Sequence, residues 1–139
     1  MVDLKTRYCG LTLKNPIVVG ASNLVTDVDN LVKLEKAGAA AIVYKSLFEE
    51  QIQLESLEME NTHQLYSDWD AEHDSFFPKL KHGGPAEHLL RLRQARNAIS
   101  IPLIGSLNCV YQDTWVEYAQ KMAETGIDAL ELNFYASEI

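Results

Sequence analysis

Three polar side chains stand just after apolar segments of this 139-residue chain, where they could take part in chemistry. Lys45 follows the apolar run 40–44, and Asn108 and Asn133 each follow a later run. A buried amine is costly unless it is paired or used, and it can form a Schiff base when burial lowers its pKa. The amides can hydrogen-bond a polar ligand. Ordinary alternatives stay open, because lysine suits a solvated loop and asparagine often caps turns.

Alternating strands and helices are predicted to position these residues. The pattern opens with a hairpin over residues 3–13, where Gly10 marks the turn. Apolar strands are predicted at 16–19, 40–44, 101–104 and 128–132. The helices between them are predicted to begin at Thr26, near Ala86, and at Asp113 or Thr114. This order is typical of an α/β fold in which helices cover a parallel sheet.

A weak internal repeat favours a barrel over a doubly wound sheet. Residues 33–44 and 121–132 share Lys, Gly and Ala at matching positions, and both predict a helix, a glycine and a strand. Neither G-x-G-x-x-G nor the P-loop pattern occurs. An eight-stranded (β/α) barrel of the TIM type needs about 250 residues. We therefore expect one incomplete barrel domain over 1–139, a half-barrel with unpaired sheet edges that is a fragment or must pair.

Composition excludes several classes of protein. The net charge of −8 argues against a general nucleic-acid binder, which needs a basic face. No apolar run is long enough to cross a membrane, and the N-terminus lacks a signal-peptide pattern. Two cysteines do not form a disulfide framework. These features predict a cytoplasmic protein. The half-barrel pattern adds the expectation that it either forms homo-oligomers or lacks its C-terminal half.

A long interruption separates the second and third predicted strands. We interpret residues 47–85 as an insertion, a loop-and-helix lid over the mouth of the barrel. All four histidines lie between residues 63 and 88, three within this interruption and one just after it. Acidic residues nearby make a metal site imaginable, but the spacing matches no standard ligand pattern. The prediction is therefore that no metal is bound.

The chain resembles the N-terminal half of the dihydroorotate dehydrogenase family of FMN-dependent α/β barrels. The resemblance rests on K-T-R-Y-C-G-L-T-L-K-N-P-I-V-V-G-A-S at 5–22, V-Y-K-S at 43–46 and E-L-N at 131–133. S-L-F-E-E-Q-I at 46–52 and S-L-N at 106–108 add to it. The order of these motifs, at strand ends, carries more weight than any one of them.

The resemblance implies an oxidoreductase that passes hydride between a small substrate and FMN, as in pyrimidine biosynthesis. It places the flavin ring over Ala21 and Ser22, where small residues let the backbone approach closely. It implies that Lys45 and Asn133 contact flavin and substrate, and that Asn108 faces the same mouth. Donors at the polar edge of the ring would stabilise the charge that develops on reduction.

Two features depart from the family pattern: the catalytic base, and the Asn-containing substrate loop after the second strand, which is not recognisable in residues 47–85. The family's proton-accepting Cys or Ser falls at Ala136, which cannot act as a base, and Ser137 is one residue further on. The catalytic base is therefore unknown. In such barrels, the loops that bind the FMN phosphate follow strands seven and eight. The four predicted strands include neither, so weak flavin binding is expected.

Alternative functions stay open. The chain could be a non-catalytic half-barrel that self-associates or needs a second half. It could also be a Schiff-base lyase that uses Lys45. Glu131 is left undecided between pairing with Lys45 inside the barrel and facing solvent.

Overall fold

The computed structural model describes residues 2–54 and 84–134. The strands are β1 Thr6–Tyr8, β2 Leu11–Leu13, β3 Val18–Val19, β4 Ala41–Val43, β5 Leu47–Phe48, β6 Leu103–Asn108 and β7 Ala129–Leu132. The helices are α1 Val28–Lys36, α2 Pro85–Ala98 and α3 Gln112–Ala123, with a 3-10 turn at Asn23–Val25 and further helical residues at 49–54. Within these two described ranges, no helix is long and apolar enough to span a membrane.

The strands β3 to β7 form a parallel sheet with four strand positions in chain order. β3 pairs with β4, and β4 pairs with β6. Leu107 of β6 pairs with Leu47 of β5 on one edge and with Leu132 of β7 on the other. β5 therefore continues the position of β4. Sequential order is consistent with a partial α/β barrel, whereas a doubly wound sheet reverses its order at a switch point.

The second strand position contains a bulge that the sequence did not predict. Val43 pairs with Ile104 and Leu47 pairs with Leu107, so three residues of one strand oppose two residues of β6. The extra residue bends the strand and re-aims its side chains. The predicted insertion at 47–85 therefore begins with a strand of the sheet. Residues 55–83 of that insertion lie outside the described residues, and its role as a lid stays a prediction.

Different elements of the structure pack against the two faces of the sheet. Ile42 belongs to the large cluster that includes Leu92 of α2 and Met122 of α3. Its neighbour Ala41 belongs to a separate cluster with Leu13 of the hairpin. Adjacent residues of a strand point to opposite faces. The helices therefore cover one face, and the hairpin covers the N-terminal end of the other.

The cap of the first helix differs from the prediction. Asp27, rather than Thr26, is the N-cap of α1, and its carboxylate accepts a hydrogen bond from the backbone N–H of Asp29 at 3.2 Å. The Thr26 hydroxyl donates instead to the carbonyl of Asn23 at 2.9 Å. Thr26 is thus used by the 3-10 turn before the helix, which leaves the cap to the next residue.

Candidate functional site

Polar side chains form a connected network near the carboxyl ends of the strands. At its centre is Ser106, which is fully buried in β6. Its Oγ lies 2.7 Å from Ser46 Oγ, 2.8 Å from Glu131 Oε1 and 2.9 Å from Asn133 Nδ2. A Cβ at the neighbouring Gly105 would lie 2.7 Å from a side-chain carbon of Ile127 and 2.9 Å from one of Met122. Gly105 thus faces the helices, and the network lies on the other face.

The direction of each hydrogen bond in this network follows from its members. Ser106 donates its one proton to the Glu131 carboxylate. Its oxygen then accepts from Asn133, and Ser46 must be the donor in the contact between the two serines. Asn133 Nδ2 also donates to Glu131 Oε1 at 3.2 Å. The amide nitrogen of Asn133 is therefore used inside the network, and Oδ1 is the atom that it offers to a ligand.

The hydrogen bond of the Lys45 side chain lies outside this network. Its Nζ donates to Asn23 Oδ1 at 3.2 Å, in the loop that follows β3. Glu131, left undecided by the sequence, bonds Ser106 and Asn133 instead of the lysine. The amine is only partly buried and bonds an amide, unlike the desolvated amine that a Schiff-base mechanism favours.

Ala21 and Ser22 are exposed in the loop after β3. The carbonyl of Ser22 accepts from the N–H of Val25 at 3.4 Å as the 3-10 turn begins. This loop also contains the asparagine that receives Lys45. The hydrogen bonds therefore bring Lys45 to the Ala21–Ser22 loop, while Asn133 belongs to the serine network.

A pocket of about 290 Å³ opens at the ends of β5, β6 and β7, and it brings the two predicted asparagines together. Its lining is Phe48, Glu49, Glu50, Asn108, Cys109, Val110 and Asn133. Among the described residues, Oδ1 of Asn108 is buried without a hydrogen-bond partner. Burial, together with the charges of Glu49 and Glu50, raises the pKa of Cys109 to about 11. Its thiol is protonated at neutral pH and is not a ready nucleophile.

Glu49 is a structural residue of this pocket that the sequence analysis missed. Its side chain is buried, and Oε2 accepts hydrogen bonds from the backbone N–H groups of Val110 and Tyr111. Oε1 accepts from Thr114 Oγ1 at 3.1 Å and from Gln53 Nε2 at 3.2 Å. Burial raises the pKa of Glu49, but these hydrogen bonds outweigh it and the net pKa is lowered. The carboxylate thereby caps the start of α3.

The start of α3 is the one place where the sequence could have indicated the contact with Glu49. The helix begins at Gln112 rather than at the predicted Asp113 or Thr114. Its N-cap is Tyr111, whose side chain makes no capping hydrogen bond. A helix N-terminus without a local cap needs donors satisfied from elsewhere. Glu49 does this from a segment more than 60 residues away.

His88 is the one histidine within the described residues, and it packs beside the sheet. Its ring lies 5.5 Å from that of Tyr44, edge to face, and its Nε2 is buried without a partner there. Burial, with smaller effects of Lys45 and Arg91, lowers the pKa of His88 to about 4. Ranges 2–54 and 84–134 contain no group of three potential metal ligands. His63, His73 and His82 lie outside the described residues.

Acid should destabilise the chain through His88. Unfolded His88 has a pKa of 6.5 and folded His88 about 4, so the unfolded state binds more protons between these values. The stabilising contribution is present above pH 6.5 and is lost as the pH falls towards 4, by about 3 kcal/mol in all. Urea unfolding at pH 7.5 and 4.5 measures it. The variant His88→Gln should lose this part of the pH dependence, and an unchanged dependence would contradict the assignment.

The fold and the site define an α/β protein with a polar pocket at the carboxyl ends of parallel strands. No protein-family model matches the chain. The chain is 29% identical over 136 residues to the catalytic subunit of dihydroorotate dehydrogenase B (NAD(+)) from Thermoplasma acidophilum. The match covers 96% of this chain and 42% of that protein, so the chain spans less than half the relative's length. This similarity supports a distant relationship to dihydroorotate dehydrogenases. Ala136 and Ser137, at the family's base position, lie outside the described residues.

Proposed function

We propose that this chain supplies the first half of a dihydroorotate dehydrogenase-like, FMN-dependent oxidoreductase. The observation that carries the proposal is the pocket with Asn108 and Asn133 at the ends of parallel strands in sequential order. Ligands of α/β barrels bind at this end of the strands. The similarity to a dihydroorotate dehydrogenase subunit adds independent support. The protein as a whole would act as an α/β barrel of the TIM type, of which this chain is a half-barrel.

The residues present fit a flavin ring. Ala21 and Ser22 are small and exposed, so a flat ring can approach their backbone. Asn108 has a buried amide oxygen without a partner, suited to an N–H group at the polar edge of a flavin. Asn133 donates its amide nitrogen inside the serine network, so its Oδ1 would be the atom directed at flavin and substrate. Lys45, between β4 and β5, would reach the same ligand from beside Asn23 of the loop after β3. Bound FMN would supply hydride transfer with a small substrate, which Lys45 and Asn133 would orient.

Flavin binding by the chain itself tests this proposal. We expect saturable quenching of flavin fluorescence, with similar affinity for FMN and riboflavin, because the phosphate loops of such barrels follow later strands. Asn133→Ala should weaken binding about tenfold, the effect of losing roughly one hydrogen bond to a ligand. Lys36→Ala, an exposed change at the end of α1, is the control and should bind normally. The absence of saturable quenching with either flavin, or unchanged binding by Asn133→Ala, would contradict the proposal.

Self-association is a second candidate, and the outer strands favour it. Within the described residues β3 pairs only with β4, and β7 only with β6. Apolar side chains beside these open edges are exposed, Ile17 by 60% and Leu132 by 43%. A non-catalytic half-barrel would bury these edges against a copy of itself or against a separate second half. Sedimentation velocity tests the first form, and Leu132→Lys should shift any oligomer towards monomer. A monomer at all concentrations would exclude self-association.

A further inference from the structure

We propose that the pocket beside Asn133 binds a neutral ring rich in N–H donors, such as a cyclic ureide, and rejects a ring that carries a carboxylate. This inference rests on the proposed function and names the substrate class of its site. It differs from the substrate in the name of the relative, because dihydroorotate is a cyclic ureide with a carboxylate attached. The polarity, charge and size of the pocket each point to the neutral ligand.

Glu131 and Ser106 determine which atom of the Asn133 side-chain amide is available to a ligand in the pocket. Both acceptors face Asn133 Nδ2, at 3.2 Å and 2.9 Å. A flipped amide would place its oxygen against the Glu131 carboxylate, where two acceptors repel. The orientation with Oδ1 available is therefore fixed. Glu131 acts as a positioning residue, and through it Asn133 selects a ligand that donates a hydrogen bond.

The charge of the pocket opposes an anion. Glu49 and Glu50 both line it, and their charges also contribute to the raised pKa of Cys109. None of the described lining residues is a lysine or an arginine. Lys45, the cation that the sequence predicted for the site, directs its amine to Asn23. A carboxylate placed here would meet like charges without a neutralising cation, whereas an N–H group would find acceptors.

The size of the pocket suits one small ring. Its volume of about 290 Å³ is at the lower end of ligand pockets. Phe48 and Val110 supply apolar walls, and both side chains are exposed enough to contact a ligand. A flat heterocycle can lie against such walls while its edge N–H groups reach Asn133. Size and chemistry thus point to the same class of ligand.

Two probes that differ by one carboxylate test the proposal. Ligand-observed NMR titrations with dihydrouracil and dihydroorotate measure both affinities without flavin or turnover. We expect dihydrouracil to bind at least about tenfold more tightly, the consequence of modest like-charge repulsion. Equal or tighter binding of dihydroorotate, or binding of neither probe, would overturn the inference.

Charge variants test whether the preference for the neutral ring comes from the pocket or from the overall charge of the chain. Glu50→Gln should narrow the preference for dihydrouracil several-fold, whereas Glu117→Gln, on the exposed surface of α3, should leave it unchanged. Glu131→Gln should weaken dihydrouracil binding, because a side-chain amide no longer fixes the orientation of Asn133. Equal effects of Glu50→Gln and Glu117→Gln would overturn the role of the pocket. Flavin quenching is recorded separately, so failure to bind flavin with the ureide preference intact would remove the oxidoreductase proposal alone.

Discussion

Replacing Glu49 by alanine should lower the free energy of unfolding by about 2–3 kcal/mol, a large fraction of the stability of a small domain. The variant loses a buried carboxylate and leaves the backbone N–H groups of Val110 and Tyr111 without their acceptor. It also removes the contact that joins the segment after β5 to the start of α3. Urea unfolding followed by circular dichroism at neutral pH measures the loss.

The neighbouring Glu50 provides the matched control. It is exposed, and Glu50→Ala removes the same charge and the same number of atoms. We expect its unfolding free energy to stay within about 0.5 kcal/mol of the original chain. Glu49→Gln should fall between the two, since its remaining amide oxygen can still accept from an N–H group. Equal destabilisation by Glu49→Ala and Glu50→Ala would show that the cap does not stabilise α3.

Replacing Leu92 by alanine should cost about 2–5 kcal/mol, the largest effect that we expect. Leu92 is fully buried on α2 and belongs to the main core between the helices and the sheet. Its truncation removes apolar contacts and leaves a cavity that the surrounding side chains fill only in part. The midpoint of urea unfolding should fall with little change in slope, since the surface exposed on unfolding is nearly the same.

Leu90 lies two residues earlier on the same helix and is 56% exposed. Leu90→Ala makes the same chemical change with the same small effect on helix propensity, and should alter stability by no more than about 0.5 kcal/mol. The difference between the two variants isolates burial. A comparable loss in both would mean that α2 does not pack on the sheet through Leu92.

The sequence determined the elements and their order. Its apolar runs predicted β3, β4, β6 and β7 of the parallel sheet, because a buried strand needs consecutive apolar residues, but they did not predict β5. The turn at Gly10 also follows from local chemistry, since glycine tolerates its positive φ, whereas the positive φ of Cys9 was not predicted. Boundaries set by capping were less predictable, and Asp27 replaced Thr26 at the start of α1.

The sequence also marked Asn108 and Asn133 as residues that follow strands, and the parallel sheet then explains why they share a pocket. Parallel strands end at one edge, so residues distant in sequence meet there. Lys45 followed the same rule, but the local bulge and the partner Asn23 decided where its side chain points. Strand-end position alone did not fix its direction.

Only the tertiary structure decided how these residues are used. The cap from Glu49 to α3 and the hydrogen bonds from Asn133 to Ser106 and Glu131 join residues on different elements. Such contacts cannot be predicted from the periodicity of the sequence, because they depend on the register between strands and on the face of the sheet where each side chain lies. The sequence supplied an amide, and the fold determined that its oxygen faces the ligand.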